Sequence, residues 1–145
     1  MQKISLPLLR KKLPRYPHLN ELENFLTRIK QEDPVFIMLF GSLTRGDYTQ
    51  FSDIDVLCVF NQEFKTFKER FLKAYKHSDG LVQTKSLSLK EFEKKIKNGN
   101  SFLHKIVSEG LILYNKVPIS EFNSWIKLGK EKLRITYFAP YPIDY

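Results

Sequence analysis

The sequence contains very little cysteine and no long apolar run. Its single cysteine, Cys58, excludes an internal disulfide and a zinc site built from several cysteines. Cys58 lies in an apolar segment, which favours a buried, unreactive thiol over a reactive one. No stretch approaches the roughly 18 apolar residues of a membrane span, and the N-terminus lacks the pattern of a signal peptide. We therefore expect a cytoplasmic protein with no membrane segment.

Internal repeats, low-complexity tracts and linkers are also absent, so nothing divides the 145 residues into separate folding units. A chain of this length buries roughly two thirds of the surface that its unfolded form exposes. Hydrophobic residues make up 42% of the sequence and charged residues 28%, which is ordinary for a globular protein. These values predict a single domain with one core.

Acidic residues are missing from the start of the chain, where the first is Glu21. Residues 1–30 contain seven basic and two acidic residues, a net charge of +5 out of +8 for the whole protein. Together with three prolines, this predicts a basic leader at residues 1–19 ahead of a single domain at residues 20–145. We favour a loosely attached, solubilising leader. The alternative is an arm that contacts phosphates or an acidic partner.

Apolar periodicity predicts short strands separated by helices. The connection between the first two predicted strands is short and polar, with no helical crossover. We therefore expect an α+β (α/β two-layer) fold in which a mixed sheet carries helices mainly on one face. The predicted strands cover residues 35–40, 53–60, 81–87 and 111–114. Five helices are predicted. The first is capped by Asn20, and the second covers 61–76 with Phe64, Phe67, Phe71 and Tyr75 facing inward. The third follows Ser88, the fourth covers 101–109, and the fifth follows Ser120 ahead of an aromatic tail at 137–145.

The clearest chemistry lies in that polar connection, residues 41–55. Gly41 ends a predicted strand, and a glycine there permits a sharp turn and a close approach by a ligand. Ser42 and the amides after it would begin a short helix, whose free N–H groups suit a phosphate. The Ser42 hydroxyl can bind the same cluster of oxygens.

Asp53 and Asp55 occupy alternate positions of the second predicted strand, so their carboxylates project from the same face. Mg²⁺ prefers carboxylate and phosphate oxygens, and without a cation the two carboxylates would repel each other. A phosphate site and a metal site then lie in one strand–turn–strand unit, as nucleotidyl transfer requires. The less favoured interpretation makes both aspartates turn residues and Ser42 a helix cap.

The pattern Gly41-Ser42, ten residues, Asp53-x-Asp55 resembles the signature of the DNA polymerase beta-like nucleotidyltransferase superfamily. More narrowly, it is similar to the minimal nucleotidyltransferase group. The resemblance covers about residues 20–115, and both motifs at this spacing are more specific than either alone.

The resemblance implies that Gly41 and Ser42 contact the β- and γ-phosphates of a nucleoside triphosphate, and that Asp53 and Asp55 bind two Mg²⁺ ions. Arg45 also matches the family pattern; it could reach a phosphate or pair with a neighbouring acid on the surface. The implied activity is transfer of AMP from ATP to a hydroxyl of a protein or small molecule. Proteins of this group often act as the antitoxin of a small helical HEPN-type toxin.

The resemblance also implies a third carboxylate on a later strand, and the position in this sequence that matches it is Gln83. Asp79 lies four residues earlier, about 13 Å along an extended strand. We therefore predict intact nucleotide binding and slow transfer, because loss of an aligned base costs about 10²–10⁴-fold in rate.

Two other functions remain open at this stage. Gln83 supports a nucleotide-binding module that acts on a partner protein without catalysis. The basic leader supports an enzyme that adds nucleotides to nucleic acid, which we rate lowest because no recognition motif accompanies the charge. His18, His77 and His104 lie far apart in sequence, so we expect packing or surface roles for them.

Overall fold

A computed structural model describes residues 2–137 of the protein. Within that range the chain forms a mixed sheet of five strands. The strands are β1 (Gln2–Lys3), β2 (Pro34–Phe40), β3 (Ile54–Phe60), β4 (Val82–Ser88) and β5 (Leu111–Asn115).

Helices connect most of these strands. They are α1 (Leu6–Lys12), α2 (Leu19–Ile29), α3 (Ser42–Arg45), α4 (Phe67–Tyr75), α5 (Leu89–Lys97), α6 (Ser101–Glu109) and α7 (Ile119–Tyr137). The predicted aromatic tail lies outside the described residues, apart from Tyr137, where α7 ends. Among residues 2–137, no helix combines the length and the hydropathy that crossing a membrane requires.

The spatial order of the strands is β1-β5-β2-β3-β4. The central strand β2 is antiparallel to both of its neighbours, β3 and β5, whereas the outer pairs are parallel. This confirms the predicted α+β class with a mixed sheet. The end of β2 therefore meets the starts of β3, β4 and β5 along one edge, which we call the Gly41 edge after the residue that follows β2.

Helices pack on both faces of the sheet, which corrects the expected placement mainly on one face. On one face Ile37 and Leu39 pack in a cluster with buried residues of α1, α2 and α4. On the other face Phe36 and Met38 pack with residues of α5, α6 and α7. The physical reason lies in β2, whose residues are apolar at every position, so that both of its faces need cover.

The N-terminal residues belong to the core, so the interpretation of a loosely attached leader is wrong. Strand β1 pairs with β5, and the amide of Ile4 donates to the Ile112 carbonyl at 2.9 Å. Leu9, Leu13 and Tyr16 are buried in the same cluster as α2 and the sheet. Apolar residues are interleaved with the basic ones in this segment, and Leu9, Leu13 and Tyr16 face inward.

Truncation of Leu9 tests this packing directly. Leu9 is fully buried, so Leu9→Ala is expected to lower the free energy of unfolding by about 2–5 kcal/mol. The neighbouring Leu8 is 54% exposed, so Leu8→Ala should change it by about 0.5 kcal/mol or less. Urea unfolding of both variants gives the comparison. If both variants lost the same small amount of unfolding free energy, the result would support a loosely attached leader.

Helix starts agree only in part with the predicted caps. The Glu91 amide donates to Ser88 Oγ at 3.1 Å, as predicted for α5. Asn20, by contrast, lies inside α2 and accepts a hydrogen bond from Arg10. Ser120 lies inside α7, which begins one residue earlier.

Helix α4 is shorter than predicted and turns its aromatic stripe outward. Phe67 is 72% exposed, whereas Ala74 is fully buried. The physical reason is the set of basic side chains on the inner side of the helix. Arg70 pairs with Glu91 of α5, and Lys73 pairs with Glu32, which follows α2. These ion pairs orient the helix, and the spacing of apolar residues in the sequence does not predict them.

Candidate nucleotide and metal site

The turn after β2 depends on glycine for two separate reasons. Gly41 has φ +84° and ψ −154°, a conformation that side-chain-bearing residues rarely adopt. A Cβ at Gly41 would also lie 2.4 Å from Asp55 Oδ2. The backbone at Gly41 and the carboxylate of Asp55 are therefore in direct contact, and the turn could not come this close with any larger residue.

Helix α3 begins at Ser42 and consists of a single turn. The Gly41 carbonyl accepts hydrogen bonds from the Thr44 amide at 3.0 Å and the Thr44 hydroxyl at 2.8 Å, which closes the turn. The amides of Ser42 and Leu43 precede this first helical bond and are the ones a helix start leaves for another acceptor. The short helix predicted after Gly41 is thus confirmed.

Asp53 and Asp55 meet at the start of β3. Asp53 is exposed and directly precedes β3, which begins one residue later than predicted. Asp55 lies within β3 and is half-buried. Burial raises the pKa of Asp55, the charge of Asp53 raises it further, and Arg45 opposes the shift. The two carboxylates are therefore close enough for each charge to act on the other.

This donor set fits Mg²⁺. It consists of two neighbouring carboxylates whose repulsion a divalent cation would relieve, and hard oxygen donors are the ligands that Mg²⁺ prefers. Within residues 2–137, no group of three or more His, Cys, Asp or Glu side chains is placed to hold a metal ion. The described part of the chain thus offers two carboxylates, Asp53 and Asp55, rather than a complete protein cage.

Gln83 lies beside Asp55 on the neighbouring strand, because the parallel register of β3 and β4 pairs the two residues. Its amide Nε2 donates to the Gly80 carbonyl at 2.7 Å. Asp79 accepts a hydrogen bond from Arg28 at 2.9 Å, so its carboxylate is paired with a residue of α2. A glutamine therefore occupies the position next to the aspartate pair, and Asp79 does not replace the missing carboxylate.

Arg45, at the end of α3, lies between two acidic side chains. Its guanidinium is 3.3 Å from Asp47 and 3.2 Å from Glu109, at the end of α6. The hydrogen bond to Asp47 is the main cause of the raised pKa of Arg45. Of the two roles open for Arg45, the structure displays the surface ion pair. The effect of Arg45 on the pKa of Asp55 also places its charge near the carboxylates.

A cavity of about 730 Å³ lies beside α3, on the side of α6 and α7. Arg45 and Glu109 line it together with apolar residues, but Asp53 and Asp55 do not. Of the aspartate pair, Asp53 is exposed and Asp55 is half-buried, so solvent reaches the Asp53 carboxylate directly.

Sequence reasoning missed one residue near the carboxylates, Tyr16. Its hydroxyl donates to the Ser52 carbonyl at 2.6 Å. Burial, followed by the charges of Asp53 and Asp55, raises the pKa of Tyr16 to about 12. No motif marks this tyrosine, because it lies in the segment interpreted as a leader.

His104, His77 and Cys58 have structural surroundings. His104 is buried, with its Nε2 2.8 Å from the Ile96 carbonyl oxygen, and His77 contacts Glu32. Cys58 is buried in the core, and burial raises the pKa of its thiol. These residues have packing roles, as expected.

The segment that contains the Gly41 turn and the aspartate pair matches a known protein family. Residues 19–114 match the model of the nucleotidyltransferase domain. The chain belongs to this nucleotidyltransferase family. The match includes the Gly41 turn, the aspartate pair and Gln83, and it confirms the resemblance that the spacing of the motifs indicated. Tyr16 lies outside the matched residues.

One relative is a protein of Methanocaldococcus jannaschii, named as a candidate protein adenylyltransferase. It is 37% identical over 78 residues, which cover 54% of this chain and 76% of the relative.

Solved structures share the nucleotidyltransferase fold. A candidate nucleotidyltransferase from Sulfolobus solfataricus superimposes with a TM-score of 0.53 at 20% identity, covering 74% of this chain and 87% of the other. A toxin-antitoxin with AMP-PNP gives 0.54 at 18% identity, covering 78% and 90%. A mutant of the toxin-antitoxin MntA-HpeT gives 0.53 at 20% identity, covering 78% and 89%. At these identities the likeness establishes the fold alone.

Proposed function

We propose that this nucleotidyltransferase transfers AMP from ATP to a hydroxyl group of a partner protein. The observation that carries the proposal is the contact between the Gly41 turn and Asp55, with Asp53 alongside. A triphosphate bound to the turn would have its phosphorus atoms next to the two carboxylates. In this role Gly41 and Ser42 bind the phosphates, Arg45 adds positive charge beside them, and Asp53 and Asp55 are catalytic.

The aspartate pair supplies what a divalent cation needs on the protein side. Asp53 and Asp55 would hold Mg²⁺ together with the triphosphate, and Gln83 leaves a second ion short of a carboxylate. When bound, Mg²⁺ would neutralise phosphate charge and favour ionisation of the attacking hydroxyl. Asp55 contributes a carboxylate whose position is set by the backbone of Gly41.

The choice of a protein acceptor rests on access and on the relatives. Asp53 is exposed at the Gly41 edge, where a side chain on the surface of another protein could reach it. The relative from Methanocaldococcus jannaschii is named as a candidate protein adenylyltransferase. Two proteins with this fold are described as a toxin-antitoxin, one of them with AMP-PNP. These names support a protein partner within a toxin-antitoxin pair. We propose, as the family resemblance implies, that this chain is the antitoxin and its partner a small helical protein of the HEPN type; a small-molecule hydroxyl is the alternative acceptor.

Labelled ATP tests the proposal. The protein is incubated with Mg²⁺, ATP labelled at the α-phosphate, and each protein that the neighbouring genes encode. We expect label on the partner, lost on omission of Mg²⁺ and in Asp53→Asn. A parallel incubation with ATP labelled at the γ-phosphate should leave the partner unlabelled, because transfer of AMP releases pyrophosphate. Absence of α-label from every protein, with Asp53→Asn behaving like the wild type, would refute the proposal.

Gln83 also favours a second candidate function, a nucleotide-binding module that acts on its partner without turnover. Gln83 pairs with Asp55 in the register of β3 and β4, at the position where the family resemblance implies a third carboxylate, and an amide cannot act as a base. Tight binding of Mg-ATP and of the partner in calorimetry, with no transfer of label, would favour this candidate over the enzyme.

Restoring a carboxylate at Gln83 discriminates between the two candidates. Gln83→Asp is expected to raise the transfer rate, up to the roughly 10²–10⁴-fold that an aligned base contributes. The added charge should also destabilise the metal-free protein, and Mg²⁺ should reverse this loss. Initial rates and thermal unfolding with and without Mg²⁺ measure both effects.

Gln83→Ala is the matched control, since it removes the hydrogen bond to Gly80 without adding a charge. It should leave the rate near that of the wild type. If Gln83→Asp and Gln83→Ala behave alike, the missing carboxylate does not limit transfer.

A further inference from the structure

Tyr16 connects the N-terminal segment to the loop that leads into Asp53. Its side chain is 5% exposed, and its ring packs edge-on against His18 and Tyr48, with centroids 5.5 Å and 6.1 Å apart. The hydroxyl donates to the Ser52 carbonyl at 2.6 Å, across 36 positions of sequence. The ring is therefore held from two sides, and its hydroxyl has a defined direction.

The carbonyl that Tyr16 binds belongs to the peptide group whose amide is that of Asp53. Fixing this peptide plane restricts φ of Asp53 and so limits the directions in which the Asp53 side chain can project. Elsewhere in this loop, the Tyr48 side chain packs against the core, and two hydrogen bonds join loop residues to each other. The Thr49 amide donates to Ser52 Oγ at 2.8 Å, and the Ser52 amide donates to the Thr49 carbonyl at 3.2 Å. These local bonds shape the loop but do not anchor it to the core.

Asp53 itself has little to hold it in place. It is exposed and precedes the first residue of β3, whereas Asp55 lies within the strand against Gly41. Because Gln83 stands where the family resemblance implies a third carboxylate, a cation bound here would depend on these two carboxylates among the side chains of residues 2–137. An error in the position of either one would then affect cation binding more strongly than in a site with three carboxylates.

We propose that Tyr16 is a positioning residue that holds the Ser52–Asp53 peptide in the orientation required for cation and nucleotide binding at the aspartate pair. The inference rests on the proposed function of that pair. It adds a residue outside positions 19–114, the part of the chain that the family model matches. The basic N-terminal segment thereby acquires a role in the site, through one buried phenol rather than through its charge.

Tyr16→Phe tests the proposal, because it removes the hydroxyl and retains the packed ring. The Mg²⁺ concentration for half-maximal binding of ATP is expected to rise about 10–100-fold, the usual cost of losing a residue that orients a metal ligand. Isothermal calorimetry of ATP binding over a series of Mg²⁺ concentrations measures this. ATP binding at saturating Mg²⁺ should recover to near the wild-type value.

Tyr75→Phe is the matched control, since it deletes the same hydroxyl from α4, where Tyr75 stacks on Phe71 away from the carboxylates. It should leave the Mg²⁺ dependence unchanged. Replacing Tyr16 by 4-aminophenylalanine, which keeps a hydrogen-bond donor at the same place, should restore the Mg²⁺ dependence toward the wild type. A purely structural role predicts a lower melting temperature in Tyr16→Phe with the wild-type Mg²⁺ dependence, and that result would overturn the proposal.

The binding measurement separates this inference from the proposed function. If the wild type binds Mg-ATP but labels no acceptor, adenylyl transfer fails while the test of Tyr16 still stands. If Tyr16→Phe, folded as judged by circular dichroism, binds Mg-ATP like the wild type at every Mg²⁺ concentration, the inference fails even if transfer is observed. If Tyr16→Phe does not fold, the Mg²⁺ dependence of ATP binding is measured on the 4-aminophenylalanine variant instead. The proposal then requires this variant to show the wild-type Mg²⁺ dependence.

Discussion

Asp55→Asn is expected to abolish transfer and, at the same time, to stabilise the metal-free protein. The substitution removes a carboxylate from the proposed cation site, a loss of several kcal/mol of charge stabilisation in the transition state. The rate should fall by about 10²–10⁴-fold. Initial rates with labelled ATP, and thermal unfolding in the presence of a chelator, provide the two measurements.

The gain in stability follows from the pKa of Asp55. Burial, followed by the charge of Asp53, raises this pKa above the ordinary value of 3.8. Between the unfolded and the folded pKa, the folded protein keeps a proton that the unfolded chain has lost, so stability falls as pH rises through that window. Asparagine does not titrate. Asp55→Asn should therefore be more stable than the wild type at neutral pH, and this difference should vanish below the unfolded pKa.

Asp79→Asn is the matched control for Asp55→Asn. Asp79 is also a carboxylate near the start of a strand, but its side chain is 60% exposed and paired with Arg28. The exchange should change stability by about 1 kcal/mol or less and leave transfer intact. Loss of transfer in Asp79→Asn would make it the third carboxylate and contradict the assignment of that position to Gln83. A destabilised Asp55→Asn at neutral pH would contradict the close approach of the two charges.

Gly41→Ala should impair the site more than any other single-methyl addition in α3 or its flanking turns. The new Cβ would meet Asp55 Oδ2 at 2.4 Å, so the carboxylate must move away from the turn. The positive φ of Gly41 adds about 1–3 kcal/mol of backbone strain. We expect a loss of Mg-ATP binding of at least tenfold together with a lower melting temperature, measured by calorimetry and thermal unfolding.

Gly46→Ala separates backbone strain from displacement of the carboxylate. Gly46 ends α3 with φ +85°, and a Cβ there would meet no atom within 4 Å. Gly46→Ala should therefore cost about 1–2 kcal/mol of stability while Mg-ATP binding stays near the wild-type value. If the two alanine variants lose binding equally, contact with Asp55 is not what makes Gly41 necessary.

Local patterns were sufficient for the family and for most of the sheet. The apolar runs ending at Gly41 and beginning after Asp53 predicted β2 and β3 because buried central strands need apolar residues at successive positions. The Gly41-Ser42 and Asp53-x-Asp55 motifs indicated nucleotidyl transfer because a tight turn and alternating strand positions are properties of a few adjacent residues. The catalytic and binding roles of these residues stay predictions.

The same patterns misplaced elements whose position depends on partners remote in sequence. Helix α4 turns Phe67 outward because Arg70 and Lys73 form ion pairs with acidic residues from other parts of the chain. Arg70 pairs with Glu91, and Lys73 pairs with Glu32. Helices cover both faces of the sheet because the central strand β2 is apolar at every position, and the strand order decides which helices cover each face. Neither fact follows from periodicity, which reports only on neighbours within one helix or strand.

The sequence by itself determined the family of this protein and the motifs that predict its chemistry: a glycine-serine turn, two aspartates at alternate positions, and a glutamine where the family resemblance implies a third carboxylate. Only the tertiary structure decided that Gly41 touches Asp55, that Gln83 lies beside it, and that Tyr16 reaches Ser52. The physical reason is the range of the forces involved. Backbone conformation and side-chain type act over a few residues, whereas close contacts across the sheet edge arise only when the whole core assembles.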